Sequence, residues 1–167
     1  TRVPALAEDA LFVADLNRAG TRGLSGITVV APSSGFGAES GRRARLVAET
    51  LGVSFPQEAL DAGQVPSHAN SDEARLRLLA AALADPETEI IWAALGGYGS
   101  SRLLEGLAAL PPDALASRQI VIGYSDITFL HLFFQKLGWK TVHGPLFGEI
   151  GSRFQEERNF RLLGELL

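Results

Sequence analysis

Short runs of β-branched and apolar residues alternate along this chain with stretches whose apolar positions recur at helical spacing. Ile27-Thr28-Val29-Val30-Ala31 reads as a buried strand stopped by Pro32. The run Glu39 to Leu51 turns Ala44, Leu46, Val47 and Leu51 inward as a helix closed by Gly52. Val53-Ser54-Phe55 predicts a short strand cut by Pro56. A helix capped by Asn70 or Ser71 runs to about Leu83, where Asp85-Pro86 ends it. Thr88 to Ala94 is the next strand, and Ser101 to Leu107 opens a short helix. Gln119 to Gly123 is a further strand, followed by Ile127, Leu130, Phe133, Phe134 and Leu137 at helical spacing. Lys140 to His143 forms a last short strand, stopped by Gly144-Pro145. Helices are expected over 4–18 and from 154 to 167, with an irregular segment from 57 to 69.

Strands that alternate with helices predict an α/β fold: an open, mainly parallel sheet with helices on both faces, flavodoxin-like or Rossmann-like in its three layers. The expected division is an N-terminal extension over 1–23 with a helix, an α/β domain over 24–150, and a C-terminal helix over 151–167. At 167 residues and 46% hydrophobic positions, the chain is long enough for one domain with a substantial core. A net charge of −4 without a basic block argues against nucleic-acid binding. No apolar run is long enough to span a bilayer, and residues 1–20 lack the pattern of a secretory signal. The chain has no cysteine, hence no thiol nucleophile and no cysteine-ligated metal. The simplest expectation is a cytoplasmic protein without cofactor or metal.

In an open parallel sheet, functional loops gather at the carboxyl ends of the strands. Three loops qualify, over 32–37, 95–100 and 123–126, and all should open on the same edge. Between the strand ending at Gly123 and the helix beginning near Ile127 there is room only for a tight turn. Ser125 stands at its apex, where a hydroxyl is exposed and the free N–H groups of a first helical turn are near. That is the anatomy of a nucleophile elbow, written Gly123-Tyr124-Ser125-Asp126. The same residues also fit a plain helix N-cap, and the 32–37 loop also fits an ordinary turn.

Acyl transfer by a serine needs a nucleophile, a base, a group orienting that base, and oxyanion donors. Ser125 supplies the first, and the N–H of Asp126 with that of Gly96 or Gly97 supplies the last. The base is missing. His131 lies past the first turn of the elbow helix and should point away from the apex. His143, beside Gly144-Pro145, reads as a hydrogen-bonded residue of the pocket floor, and His68 falls in the irregular segment.

Ala31-Pro32-Ser33-Ser34, Gly96-Gly97-Tyr98-Gly99 with Arg102-Leu103-Leu104, Gly123-Tyr124-Ser125-Asp126-Ile127-Thr128 and His143-Gly144-Pro145 follow one another in that order. Together they resemble the N-terminal part of the LD-carboxypeptidase family of serine peptidases, which includes the microcin-immunity peptidases. The resemblance covers about 27–149. It implies that Ser125 is the nucleophile and that the N–H groups of Asp126 and of Gly97 or Gly96 form the oxyanion hole. Ser33, Ser34, Tyr98, Tyr124 and His143 would then line the substrate site. It further implies a Glu and a His from a C-terminal domain, a peptide or muropeptide substrate cleaved at an L,D-amide, and a homodimer of the full-length protein. The family usually has Arg before the paired glycines, where this chain has Leu95. Two alternatives stand beside this reading: a peptidyl-nucleotide hydrolase of the immunity type, and a non-catalytic flavodoxin-like domain holding a nucleotide or phosphate.

Overall fold

The computed structural model describes residues 26–56, 68–116 and 118–150. The helices expected over 4–18 and 154–167, and most of the irregular segment before His68, lie outside them. So do the N-terminal extension and the segment after 150.

Strand β1 (Ile27–Val30) leads into helix α1 (Ala38–Leu51), which Gly52 closes in the left-handed conformation. Helix α2 (Asp72–Ala84) is capped by Ser71, whose hydroxyl accepts from the Ala74 N–H at 3.2 Å. Strand β2 (Ile90–Ala93) runs through a loop into a 3₁₀ turn (Ser100–Leu103) and helix α3 (Leu104–Ala108). Strand β3 (Ile120–Gly123) is followed by a 3₁₀ turn (Ser125–Ile127) and helix α4 (Thr128–Lys136), and β4 is Thr141–His143.

The strands form one parallel four-stranded sheet in the order β1-β2-β3-β4. The strand expected over 53–55 shrinks to a single bridge, Ser54 against Thr28. Two backbone bonds hold it: Val29 N–H to Ser54 O at 2.9 Å and Ser54 N–H to Ile27 O at 2.9 Å. With Pro56 following, the ladder cannot extend. The bridge lies on the outer side of β1, so the chain steps outward from β1 and returns to form β2. The crevice between the carboxyl ends of β1 and β2 is therefore a point where the direction of winding reverses, the usual place for a site in such sheets.

Alternation along the strands divides the core in two. Ile27, Val29, Ile90, Trp92 and Ile122 face α1 with Val47, Ala48 and Leu51. Val30, Ile91, Ala93 and Val121 face the other side, against Leu79 and Leu83 of α2, Leu107 of α3 and Leu130 and Phe134 of α4. This is the expected open α/β sheet with helices on both faces. Of the apolar positions expected inside, Leu46 and Phe133 are only half-buried and Leu137 is exposed, because each falls at the margin of its helix's apolar stripe.

Candidate active site

The carboxyl ends of β1, β2 and β3 bring the three small-residue loops to one edge, as expected. The β1 and β2 loops are tied by the Ser34 N–H, which donates to Gly96 O at 3.0 Å. The β2 loop also meets the elbow. A Cβ built on Gly96 would lie 3.1 Å from the Ser125 Cβ and 3.2 Å from its Oγ. A trans peptide points its N–H opposite to its C=O. No peptide among the described residues is cis, and Gly96 O points toward the β1 side. The Gly97 N–H of the same peptide therefore turns away from the β1 loop.

Ser125 is exposed and has φ +62°, in the left-handed region that a residue with a side chain seldom adopts. Gly123 before it has no room for a side chain. A Cβ there would stand 2.9 Å from Ile127 Cγ2 and 3.0 Å from the Ala93 Cβ. The close turn is what lets β3 pass into its helix within so few residues, leaving the Ser125 hydroxyl at the rim. Such strained positions persist only where the surroundings over-determine them, and they concentrate at functional sites.

The surroundings are well tied. The Asp126 Oδ2 accepts from the Ser33 hydroxyl at 2.5 Å and from the Ser100 N–H at 2.8 Å. The Ser100 hydroxyl donates back to the Asp126 carbonyl. Ser33 and Ser100 are both fully buried. On the other flank, the Gly123 carbonyl accepts from the Gly144 N–H at 3.1 Å and bonds His131 Nε2 at 2.8 Å. Because a carbonyl can only accept, the Nε2 of His131 carries the hydrogen and Nδ1 is bare; Nδ1 is buried with no partner among the described residues. Burial pushes the His131 imidazole below its ordinary value, with the nearby His143 adding to the effect and the Gly123 carbonyl opposing it.

His131 thus does not turn away from the elbow altogether. Its ring folds back toward the helix start, as side chains on a helix do, and braces the elbow from behind, away from the Ser125 hydroxyl. His143 is exposed, with its ring 6.0 Å from that of Tyr124 and 6.1 Å from that of His131. Tyr124 is half-buried and donates its hydroxyl to Glu149 Oε1 at 2.6 Å, while Glu149 Oε2 accepts from the Leu146 N–H at 3.1 Å. Tyr98 is exposed beside the His68 ring, which it stacks at 6.3 Å. Leu95, where the family has Arg, is half-buried and packs with Phe36 over Gly148, whose missing Cβ would stand 2.7 Å from Leu95 Cδ2.

Residues outside the motifs complete the frame. Arg75 is buried; its Nη1 donates to Pro32 O and its Nη2 to Asp72 Oδ1. Arg102 chelates the same carboxylate through Nε at 2.8 Å and Nη2 at 2.6 Å. The Arg102 hydrogen bonds, then those of Arg75, hold the Asp72 carboxyl down at about 2. Arg75 also fills the space beside Gly99, where a Cβ would stand 2.6 Å from Nη1. Pro32, Gly99 and Arg102 belonged to segments singled out in the sequence, whereas Arg75 and Asp72 did not. A lone cation inside an apolar helix stripe, as at Arg75, was the one available signal for the rest. Chemically, the edge offers an exposed hydroxyl on a strained turn, close beside the glycine backbone of the β2 loop.

Known proteins resemble this chain in sequence and fold. Residues 27–144 match the LD-carboxypeptidase N-terminal domain. RP402 of Rickettsia prowazekii, provisionally named a carboxypeptidase, is 36% identical over 142 residues, covering 84% of this chain and 44% of that protein. The murein tetrapeptide carboxypeptidase of Pseudomonas aeruginosa is 35% identical over 96 residues, covering 54% of this chain and 31% of that one. The MccF-like protein of Bacillus anthracis str. Ames has the same fold, with a TM-score of 0.63 at 31% identity over 77% of this chain and 40% of its own. The chain spans less than half the length of the curated relatives it matches. On these matches, the chain belongs to the LD-carboxypeptidase family and carries its N-terminal domain.

Proposed function

We propose that the full-length protein is a serine carboxypeptidase that releases a terminal D-amino acid from a murein tetrapeptide, with Ser125 as nucleophile. The observation that carries this is Ser125 itself: an exposed hydroxyl at φ +62° between β3 and its helix, with the Gly96–Gly97 backbone alongside. Its Oγ attacks the carbonyl carbon of the L,D-amide while its proton passes to a base. The N–H groups of Asp126 and Gly97 receive the oxyanion. The intermediate collapses with the proton delivered to the departing amine, and water then hydrolyses the acyl-enzyme. The substrate class rests on the family and on the name of the Pseudomonas aeruginosa relative.

The base and its orienting carboxylate are assigned to sequence outside this chain. Two observations favour this: His131 is committed to the Gly123 carbonyl and His68 Nδ1 lies 2.9 Å from Asn70 O, and the match covers only 44% of the Rickettsia prowazekii relative. His143 is then a residue of the pocket floor beside Tyr124, with Ser34 and Tyr98 on the substrate side and Ser33 turned inward to Asp126. A peptidyl-nucleotide substrate is the second reading, prompted by the likeness to the MccF-like protein, and Leu95 in place of the usual Arg fits a change of specificity without choosing between the two.

The test uses the full-length protein. A serine-reactive phosphonate should label it, and Ser125→Ala should abolish both labelling and turnover of an L,D-tetrapeptide. Turnover unaffected by Ser125→Ala would end the proposal, and selective turnover of a peptidyl-nucleotide would favour the second reading. Residues 1–167 alone should show negligible turnover, because Ser125 without a base keeps its proton at neutral pH.

A further inference from the structure

We infer that the Asp126 side chain is the positioning residue of the oxyanion hole, setting the separation of its two backbone donors through hydrogen-bond acceptance and not through acid–base chemistry. The inference rests on the reading of Ser125 as nucleophile and adds to it a function for the Asp126 carboxylate. Two donors converge on one of its oxygens, and they come from different loops: the Ser33 hydroxyl from the end of β1 and the Ser100 N–H from beyond β2. Asp126 itself belongs to the elbow after β3. One oxygen thus joins the loops of all three strands. The Ser100 hydroxyl closes the ring by donating to the Asp126 carbonyl, which fixes the peptide as well as the side chain.

The placement of the ring matters. One proposed oxyanion donor is the N–H of Asp126. The other is the N–H of Gly97, three residues before Ser100 in the loop that the same carboxylate grips. Ser34, next to Ser33, holds that loop from the other end through Gly96 O. The distance between the two N–H groups is therefore set by a short closed circuit passing through Asp126 Oδ2. A misplacement of about 1 Å in such a constellation costs on the order of 10²-fold in rate. Ser33 and Ser100 are both fully buried, so water cannot readily replace either donor's bond when the carboxylate is removed.

The circuit asks only for an acceptor oxygen. Asparagine can present its single carbonyl oxygen to both donors, whereas alanine cannot. In the full-length protein, with an L,D-tetrapeptide as substrate, Asp126→Ala should lower kcat by about 10²-fold while KM stays within about threefold, because the donors act on the transition state. Asp126→Asn should recover most of that loss. Ser33→Ala, which removes only a hydroxyl and leaves the elbow untouched, should lower kcat about fivefold or more, and adding it to Asp126→Ala should cost little further, as expected for one shared interaction. An Asp126→Asn variant as slow as Asp126→Ala would overturn the inference in favour of a charge or proton-transfer role. Wild-type kcat in Asp126→Ala would overturn it outright. If Asp126→Ala does not fold by thermal melting, Ser33→Ala decides, and an unchanged kcat there refutes the circuit. Failure of the underlying reading is separately visible, since full turnover in Ser125→Ala removes the nucleophile whatever the Asp126 series shows.

Discussion

Adding one methyl group at Gly96 should separate activity from stability. The Cβ of Gly96→Ala would stand 3.1 Å from the Ser125 Cβ, 3.2 Å from its Oγ and 3.6 Å from Leu146 Cδ1. The first two distances are a few tenths of an ångström tighter than ordinary carbon contacts, and the residue is not among those with positive φ. The backbone therefore accepts alanine, and the reduced freedom of the unfolded chain contributes about 0.4–1 kcal/mol of stability. The Ser125 Oγ can rotate away, but its Cβ moves only with a backbone held on both flanks, so crowding there offsets this gain and the net change in unfolding free energy should stay within about 1 kcal/mol. Activity has no such escape. The reacting carbonyl oxygen must sit about 3 Å from both the nucleophile and the oxyanion donors. A methyl 3.2 Å from Oγ, on the strand side that carries the Gly97 N–H, occupies that volume. Displacing the oxygen from one donor costs about 10²–10³ in kcat, or about 2.7–4 kcal/mol. The assay pairs urea unfolding with steady-state turnover of an L,D-tetrapeptide by the full-length protein. A Gly96→Ala enzyme with kcat within about threefold of wild type would refute the placement of the oxyanion between Ser125 and the β2 loop.

The backbone strain at Ser125 predicts that Ser125→Gly is more stable than Ser125→Ala by about 1 kcal/mol in denaturant unfolding, the opposite of the usual order for these residues. His131 is held below its ordinary value, so the unfolded chain binds more protons below pH 6.5; its contribution is complete above that pH and is lost as pH falls, and His131→Phe should flatten this part of the stability profile. Asp72 behaves as a depressed carboxylate whose contribution is present above about pH 4 and is lost on the way down to about 2; its NMR titration should show a midpoint near 2 that rises in Arg102→Ala.

What the sequence made legible and what it hid divide along the range of the interactions involved. β1, β2, β3 and the elbow were readable because their signals are local: alternation or β-branching within a few residues, then Pro or Gly where the chain turns. The shared edge followed from parallel topology alone. The circuit around Asp126 was not readable, because its bonds join positions 93 and 26 residues apart and no periodicity records which polar groups meet there. Arg75 was hidden in part for the same reason: its Asp72 partner is local, one helical turn away, but the Pro32 carbonyl that completes its burial lies 43 residues off in sequence. His131 was judged from its angle around the helix, which places the Cα but not the reach of a ring directed back toward Gly123.

Both flanks of Ser125 are tied down, and this explains how a strained residue is kept at the apex. Before it, the Gly123 carbonyl is engaged by His131 and by the Gly144 N–H, which belongs to the β4 side. After it, Asp126 is engaged at both side chain and carbonyl by Ser33 and Ser100, which belong to the β1 and β2 sides. A left-handed residue with a side chain costs roughly 1–2 kcal/mol relative to relaxed backbone. Each of these hydrogen bonds contributes about 0.5–1.5 kcal/mol net. Relaxing Ser125 would require its two neighbours to rotate, breaking several bonds together, which costs more than the strain relieved. The strain is therefore stored by the sheet on either side and not by the elbow's own sequence. It follows that Gly123-Tyr124-Ser125-Asp126 placed at another strand end, without Ser33, Ser100 and His131, would relax into an ordinary helix cap.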